Sequence, residues 1–379
     1  MRNHALLSAS TSSRWLVCTP SAVLESKLEE SVSDYADEGT LAHTLAETEL
    51  KHKLKRITAQ EYANELEFIY ASKYFNESMQ DYVDDYVAFV LESYNEAGKG
   101  AEIFLETQID LRDYIPEGFG HVDVCIVNNG ILDVIDLKYG KGVAVSAEEN
   151  KQLMLYGLGA LLECDLLFDI RDIRMTIYQP RIDNYSSFLM SASDLRKWAI
   201  EVLRPTAEIA YEGKGEYKPG EHCRFCRAKP ICQANMNYQM EIAKYDFQDP
   251  ALLTPEDVSS VLSRVDQFIN WINSVDEYAL KQALEKGVKW PGFKLVEGRS
   301  TRKYGDELKV VSELKKKGFA EEVIFTKKIC GITELSKRIG KPTFDSIITP
   351  LLIKPQGAPT LVPITDKRPE YNSAKEDFS

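Results

Sequence analysis

Between Gly118 and Lys138 two apolar, β-branched runs flank Asn129-Gly130, the sequence signal for a two-residue hairpin turn. If Asn128 pairs with Ile131, each step outward adds one residue to each strand. That register sets Asp123 opposite Asp136, and His121 opposite Lys138. Opposed residues share a face with Cβ atoms about 4.5–5.5 Å apart, and Asp136 and Lys138 share one by the two-residue period of a strand. Two carboxylates and an ammonium would then converge. A three-residue loop would slip the register and undo this.

Paired carboxylates at that range repel unless a proton or a cation lies between them. Mg²⁺ or Mn²⁺ takes one or two carboxylates and keeps room for phosphate oxygens, and a nearby lysine can hold water or neutralise charge on phosphate. The plainer reading is a solvent-facing polar side of an amphipathic hairpin. The next segment adds matching chemistry. Ser146-x-x-Glu149 has capping-box spacing, which predicts a helix from Ala147 to residue 163. Gln152 and Tyr156 then lie on one face, one turn in.

An Asp, then Asp-x-Lys, a short loop and a helix bearing Gln-x-x-x-Tyr resembles the PD-(D/E)XK nuclease core, RecB-like branch. The resemblance implies that Asp123 and Asp136 bind metal, that Lys138 assists catalysis, and that Gln152 and Tyr156 line the site near DNA, with Lys141 beside them. Gly39-Thr-Leu-Ala-His43 is similar to that branch's Gly-x-x-x-His element, which brings a helical histidine to the metal. Taken alone, His43 is an ordinary histidine of an amphipathic helix. The strand predicted at Glu102–Asp110 would, by the same resemblance, present Glu106 towards the site; an exposed strand glutamate is the common case.

Cys223-Arg-Phe-Cys226-Arg-Ala-Lys-Pro-Ile-Cys232 places three thiols within ten residues. Thiolates suit zinc or iron–sulfur, and Arg224, Arg227 and Lys229 would favour the thiolate. Cys125, Cys164 and Cys330 could complete the set, although the first two sit in apolar runs where buried, inert thiols are usual. Cys18 lies in a polar turn near the other end. One remote N-terminal cysteine plus Cys-x2-Cys-x5-Cys is similar to iron–sulfur nucleases of the AddB and CRISPR spacer-acquisition type. The resemblance implies a [4Fe–4S] cluster on Cys18, Cys223, Cys226 and Cys232 that staples the ends of the nuclease domain. A structural zinc ion on the same ligands is the alternative, though zinc sites more often show two paired Cys/His clusters.

The elements that must position these residues read as α/β, a mixed sheet flanked by helices plus a mostly helical C-terminal region; the resemblance implies that the sheet is restriction-endonuclease-like. Residues 1–240 form the expected nuclease domain, with a tyrosine-rich helical insertion at about 55–100 in which packing outweighs base stacking. A strand is predicted over 172–181, and a helix over 194–211 kinked at Pro205. Residues 241–379 form the second region. It opens with a long amphipathic helix capped by Thr254 before Pro255, carries a basic patch (Lys294, Arg299, Arg302, Lys303), and ends in a polar tail from about 354.

The chain has 379 residues and a formal net charge of −13, which argues against a generic polyanion binder, so any DNA contact must be local or metal-mediated. No signal peptide or transmembrane run is evident, and seven cysteines suit a reducing compartment. The expected location is the cytoplasm, that of the host if the gene is a phage's, since the segment order resembles phage-encoded proteins with a RecB-type core. No Walker-type phosphate loop or nicotinamide fingerprint occurs. The expectation is a Mg²⁺- or Mn²⁺-dependent deoxyribonuclease, an exonuclease in recombination, replication or end-processing, acting on single-stranded or end-containing DNA. A helicase, recombinase or single-strand-binding protein would be its partner, with oligomers open and no membrane. The alternative is a non-catalytic DNA-binding or assembly protein retaining fold and cluster.

Overall fold

In the computed structural model the described residues are 5–29, 34–128, 130–165, 167–241, 254–296, 307–317 and single positions between 321 and 352. Arg299, Arg302, Lys303, Cys330 and the tail from 354 lie outside them. The chain divides into two compact units, Met1–Leu284 and Glu285–Ser379. The first therefore extends past residue 240.

Its centre is one five-stranded mixed sheet in the order β1 (Glu102–Asp110), β2 (Phe119–Asn128), β3 (Ile131–Leu137), β4 (Asp172–Gln179), β5 (Asn184–Ser191). All neighbours are antiparallel except β3 and β4. That parallel pair needs a crossover, which contains the helix Lys151–Cys164. Asn128 pairs with Ile131 and the register runs out to Val124–Ile135 as predicted, with Gly130 at φ +80 closing the turn. The predicted partner of His121 is corrected: His121 faces Gln108 on β1, because the β2–β3 ladder ends before it. β5 has no counterpart among the predicted strands; its exposed residues Tyr185, Ser187 and Leu189 alternate along a short edge strand. Pro180 ends β4 as expected.

Helices cover both faces. Preceding the sheet are α1 (Ser12–Trp15), α2 (Ser21–Glu25), α3 (Asp34–Lys53), α4 (Ala59–Tyr70) and α5 (Glu77–Ala97). The helix after β3 is α6 (Lys151–Cys164); α7 (Ala192–Trp198) and α8 (Arg204–Tyr211) follow β5, joined by a π-helical segment with Pro205 in the first turn of α8. On one face α3 and α5 pack Leu45, Val83 and Tyr86 against Val124, Ile126, Ile135 and Leu137. On the other, α6 packs Leu153, Leu158 and Leu161 against Cys125, Val134 and Met175. A Cβ on Gly159 would come 2.6 Å from Ile109 Cδ1, so α6 can approach β1 closely only with glycine there. The insertion tyrosines pack: Tyr62 stacks on His52 and donates to Glu49, Tyr74 donates to Asp37, and Tyr86 meets Tyr178.

Beyond these lie α9 (Gln233–Met240), α10 (Pro255–Leu262) and α11 (Val265–Lys286). Thr254 caps α10 with Asp257 in a reciprocal box. The single long helix expected there is two, broken at Ser263-Arg264, where Arg264 bonds back to Tyr238. In the second unit the structure describes α12 (Glu307–Lys316). Among the described residues no helix is long and apolar enough to cross a membrane.

Candidate metal centre and cysteine cavity

Glu106 on β1 and Asp123 on β2 stand opposite one another, between the pairs Leu105–Val124 and Thr107–Val122. The count across the strands stays one for one, yet both reverse face here. Leu105 and Val124 pack with the α3/α5 side, whereas Ile109 and Val122 pack with the α6 side. The backbone of Glu106 lies at φ +45, a region that non-glycine residues seldom occupy and that costs of order 1–3 kcal/mol. This reversal corrects the expectation that Asp123 and Asp136 share a face. Asp123 is drawn to α3, while Asp136, on an unbroken strand, meets α6.

The consequence is two linked groups. His43 Nδ1 lies 3.3 Å from Asp123 Oδ2, which also accepts the Leu137 N–H at 2.8 Å. One donor atom each from His43, Glu106 and Asp123 lies within 4.8 Å of the others. These three could hold a metal ion. Asp136 stands outside that set and pairs with Lys138 at 2.8 Å. Lys138 donates to Gln152 Oε1 at 3.0 Å, and the Gln152 amide nitrogen reaches Tyr156 OH at 2.9 Å and Asp136 Oδ1 at 3.4 Å. Glu106, which the sequence alone reads as an ordinary strand glutamate, is thus one of the three convergent donors. Lys141 sits exposed in the loop before α6.

The electrostatics follow from burial and crowding. Burial lowers His43, but the carboxylates of Asp123, Asp136 and Glu106 outweigh it and raise the imidazole to about 9. Glu106 is raised to about 8 by burial and by Asp123. Asp123 falls below its ordinary value because His43, the Leu137 N–H and Lys138 overcome its burial. Asp136 rises, since burial and Asp123 outweigh Lys138, and Lys138 itself is raised by Asp136 against its own burial. Imidazolium and ammonium therefore neutralise the carboxylates in the metal-free protein.

Helix α6 does not start at Ala147. Val145 N–H bonds Gln179 Oε1 and Ala147 N–H bonds Ser186 Oγ, which ties this segment to β4 and β5. Asn150 is the cap instead, accepting from the N–H groups of Gln152 and Leu153. Ser146 Oγ accepts from the Glu148 N–H. Gln179, buried, also donates to the carbonyls of Gly140 and Val143, so it anchors the whole loop between Lys138 and α6. Arg181 ties α3 to the same end of the sheet through Glu38, 2.9 Å away, with its guanidinium over Tyr139. Neither residue carried a sequence signal; a buried glutamine before a proline reads as the end of a strand.

The second assembly joins the N-terminal helices to residues 221–232. Cys18, Cys223, Cys226 and Cys232 line one small cavity with Arg14 and Ser21. The six cysteines among the described residues are all free thiols, and no three of these sulfurs lie within 4.8 Å of one another. Burial raises Cys18 and Cys223, and pushes Cys226 to about 12. The expected help from Arg224, Arg227 and Lys229 is corrected: Arg224 lies over Phe225, Arg227 serves Glu25 and the Leu28 carbonyl, and Lys229 bonds the Arg224 carbonyl. Arg14 is the cation that lowers these thiols. It pairs with buried Glu25 at 2.6 Å and donates to the Phe225 carbonyl, holding the N-terminal helices to residues 221–232. Cys125 and Cys164 are buried in the core as the ordinary reading has it.

A mixed α/β unit with an acidic, histidine-bearing pocket where β1 and β2 reverse face is the class that fold and site define. A family model described as "Protein of unknown function (DUF2800)" matches residues 4–369, and the chain belongs to that family. Among solved structures the chain is similar to one titled "Crystal structure of SSO0001", at 15% identity over 57% of this chain and 95% of that one, with a TM-score of 0.23.

Proposed function

We propose that this protein is a Mg²⁺- or Mn²⁺-dependent deoxyribonuclease of the PD-(D/E)XK, RecB-like kind, an exonuclease processing DNA ends in recombination or replication in the cytoplasm. The observation that carries the reading is that His43, Glu106 and Asp123 converge directly beside the Asp136–Lys138–Gln152–Tyr156 chain. One imidazole nitrogen and two carboxylates fit a divalent ion, and the imidazole favours Mn²⁺ over Mg²⁺. When bound, the ion would supply Lewis acidity to the phosphoryl oxygen and a more acidic water.

The protein's own groups do the rest. Lys138 holds the attacking water and offsets charge that develops on the phosphate oxygens. Asp136 keeps that ammonium charged, Gln152 fixes it in place, and Tyr156 fixes Gln152. Loop residue Lys141 contacts the DNA backbone, which an acidic chain needs locally. A helicase, recombinase or single-strand-binding protein would deliver the strand.

For the cysteine cavity we propose a structural [4Fe–4S] cluster on Cys18, Cys223, Cys226 and Cys232. The four thiols line one cavity between the N-terminal helices and residues 221–232, which supports a group shared among them; a structural zinc ion on the same ligands is the alternative. Ser21 Oγ, buried at the cavity wall with no hydrogen-bond partner among the described residues, offers a hydroxyl to a sulfur.

The test is cleavage of end-labelled single- and double-stranded DNA by anaerobically purified protein with Mg²⁺, Mn²⁺ or EDTA, beside Lys138→Ala. Metal-dependent products that vanish in the variant are expected, and the label position gives the polarity. DNA binding without cleavage, in protein that keeps its iron, would point to the assembly-protein reading instead.

A further inference from the structure

Tyr86 belongs to the apolar stripe of α5, where its ring packs against Tyr178 with centroids 5.8 Å apart. Its side chain is 1% exposed. The hydroxyl is buried and has no hydrogen-bond partner among the described residues. Buried hydroxyls are rarely left so, because an unmade hydrogen bond forfeits the whole cost of taking the group out of water. A phenylalanine would pack as well, without that loss. The hydroxyl also sits in a particular place: Tyr86 lines the same pocket as His43, Glu47, Glu106 and Asp123. Burial, and after it the carboxylates of Asp123, Asp136 and Glu106, opposes its ionisation, so it stays an O–H, able to donate and to accept.

We propose that Tyr86 is a positioning residue of the metal centre: its hydroxyl holds an ordered water in the pocket formed by His43, Glu106 and Asp123. Polar groups around a buried water should number two to four, and Tyr86 with the two carboxylates supplies them. The inference rests on the metal-site reading above and adds to it a residue from a helix outside the sheet. Groups that orient a metal's surroundings without binding it typically change affinity or activity 10–100-fold when removed. No proton or electron changes hands at Tyr86; it orients water and nothing more.

The experiment compares full-length parent, Tyr86→Phe and Asp123→Asn, using Mn²⁺ alone as the probe. Mn²⁺ affinity is read by calorimetry, melting temperature in EDTA, and kcat and KM on a single-stranded oligonucleotide. Tyr86→Phe should bind Mn²⁺ about tenfold more weakly and lose about tenfold in kcat, with KM for DNA unchanged. In EDTA it should melt at or above the parent's temperature. Parent-like affinity and kcat in Tyr86→Phe overturn the inference. So does a marked fall in its metal-free melting temperature, because the hydroxyl would then have a partner within the fold. A parent that takes up no Mn²⁺, indistinguishable from Asp123→Asn, overturns the metal reading itself and this inference with it. A parent that binds while Tyr86→Phe matches it overturns this inference alone.

Discussion

Replacing Glu106 by glutamine should stabilise the metal-free protein while removing its metal response. In the folded protein Glu106 titrates at about 8 against an ordinary value of 4.5, because it is buried and faces Asp123. Folding at neutral pH therefore requires it to take up a proton. At about 1.4 kcal/mol per pH unit the uptake costs roughly 3 kcal/mol at pH 7, and partial exposure of the side chain reduces this to about 2 kcal/mol. The sign is that of a raised carboxyl: the unfolded chain binds fewer protons, so this group's contribution worsens as pH climbs from 4.5 to about 8. Glutamine mimics the protonated form and removes that dependence. Thermal melts in EDTA should show parent and Glu106→Gln nearly equal at pH 4.5, with the variant ahead by roughly 4 °C at pH 7 and by more at pH 8. Saturating Mn²⁺ should then raise the parent's melting temperature and leave the variant's unmoved, since one of three ligands is gone. A gap that stays constant from pH 4.5 to 8 would refute the reasoning, because Glu106 would then ionise as an ordinary surface carboxylate.

Three further outcomes follow from the packing. Gln152→Ala removes the amide that links Lys138, Asp136 and Tyr156; kcat should fall about 10–100-fold while calorimetry finds Mn²⁺ affinity unchanged. Gly159→Val drives a side chain into Ile109, whose Cδ1 is 2.6 Å from the Cβ site, and denaturant unfolding should show a loss of about 1–3 kcal/mol. Arg14→Ala strands the buried carboxylate of Glu25; denaturant unfolding should show a loss of about 3 kcal/mol.

Much of the frame could be read locally. Asn129-Gly130 determined the hairpin register out to Val124–Ile135, because only one pairing of that turn puts both apolar runs in a core. Pro180 marked the end of β4, and Thr254-Pro255 marked the start of α10, because a ring without an N–H and a capping hydroxyl act within one turn of chain. Asp123, Asp136 and Lys138 were picked out as candidates by type and spacing, and His43, Gln152 and Tyr156 by the resemblance to a nuclease core. Their grouping was not. Ser146-x-x-Glu149 satisfies the rule for a helix start, yet the Val145 and Ala147 N–H groups donate to Gln179 and Ser186, 34 and 39 residues away, which holds that segment to the sheet and leaves the cap to Asn150. The polar, serine-rich β5 shows little apolar alternation, and only pairing with β4 makes it a strand. Which carboxylates stand together was decided by the reversal at Glu106 and Asp123, a property of two paired strands held between α3 and α6. Local sequence sets what a residue can do chemically; which residues it can do it with depends on side chains that distant elements bring to the same few ångströms.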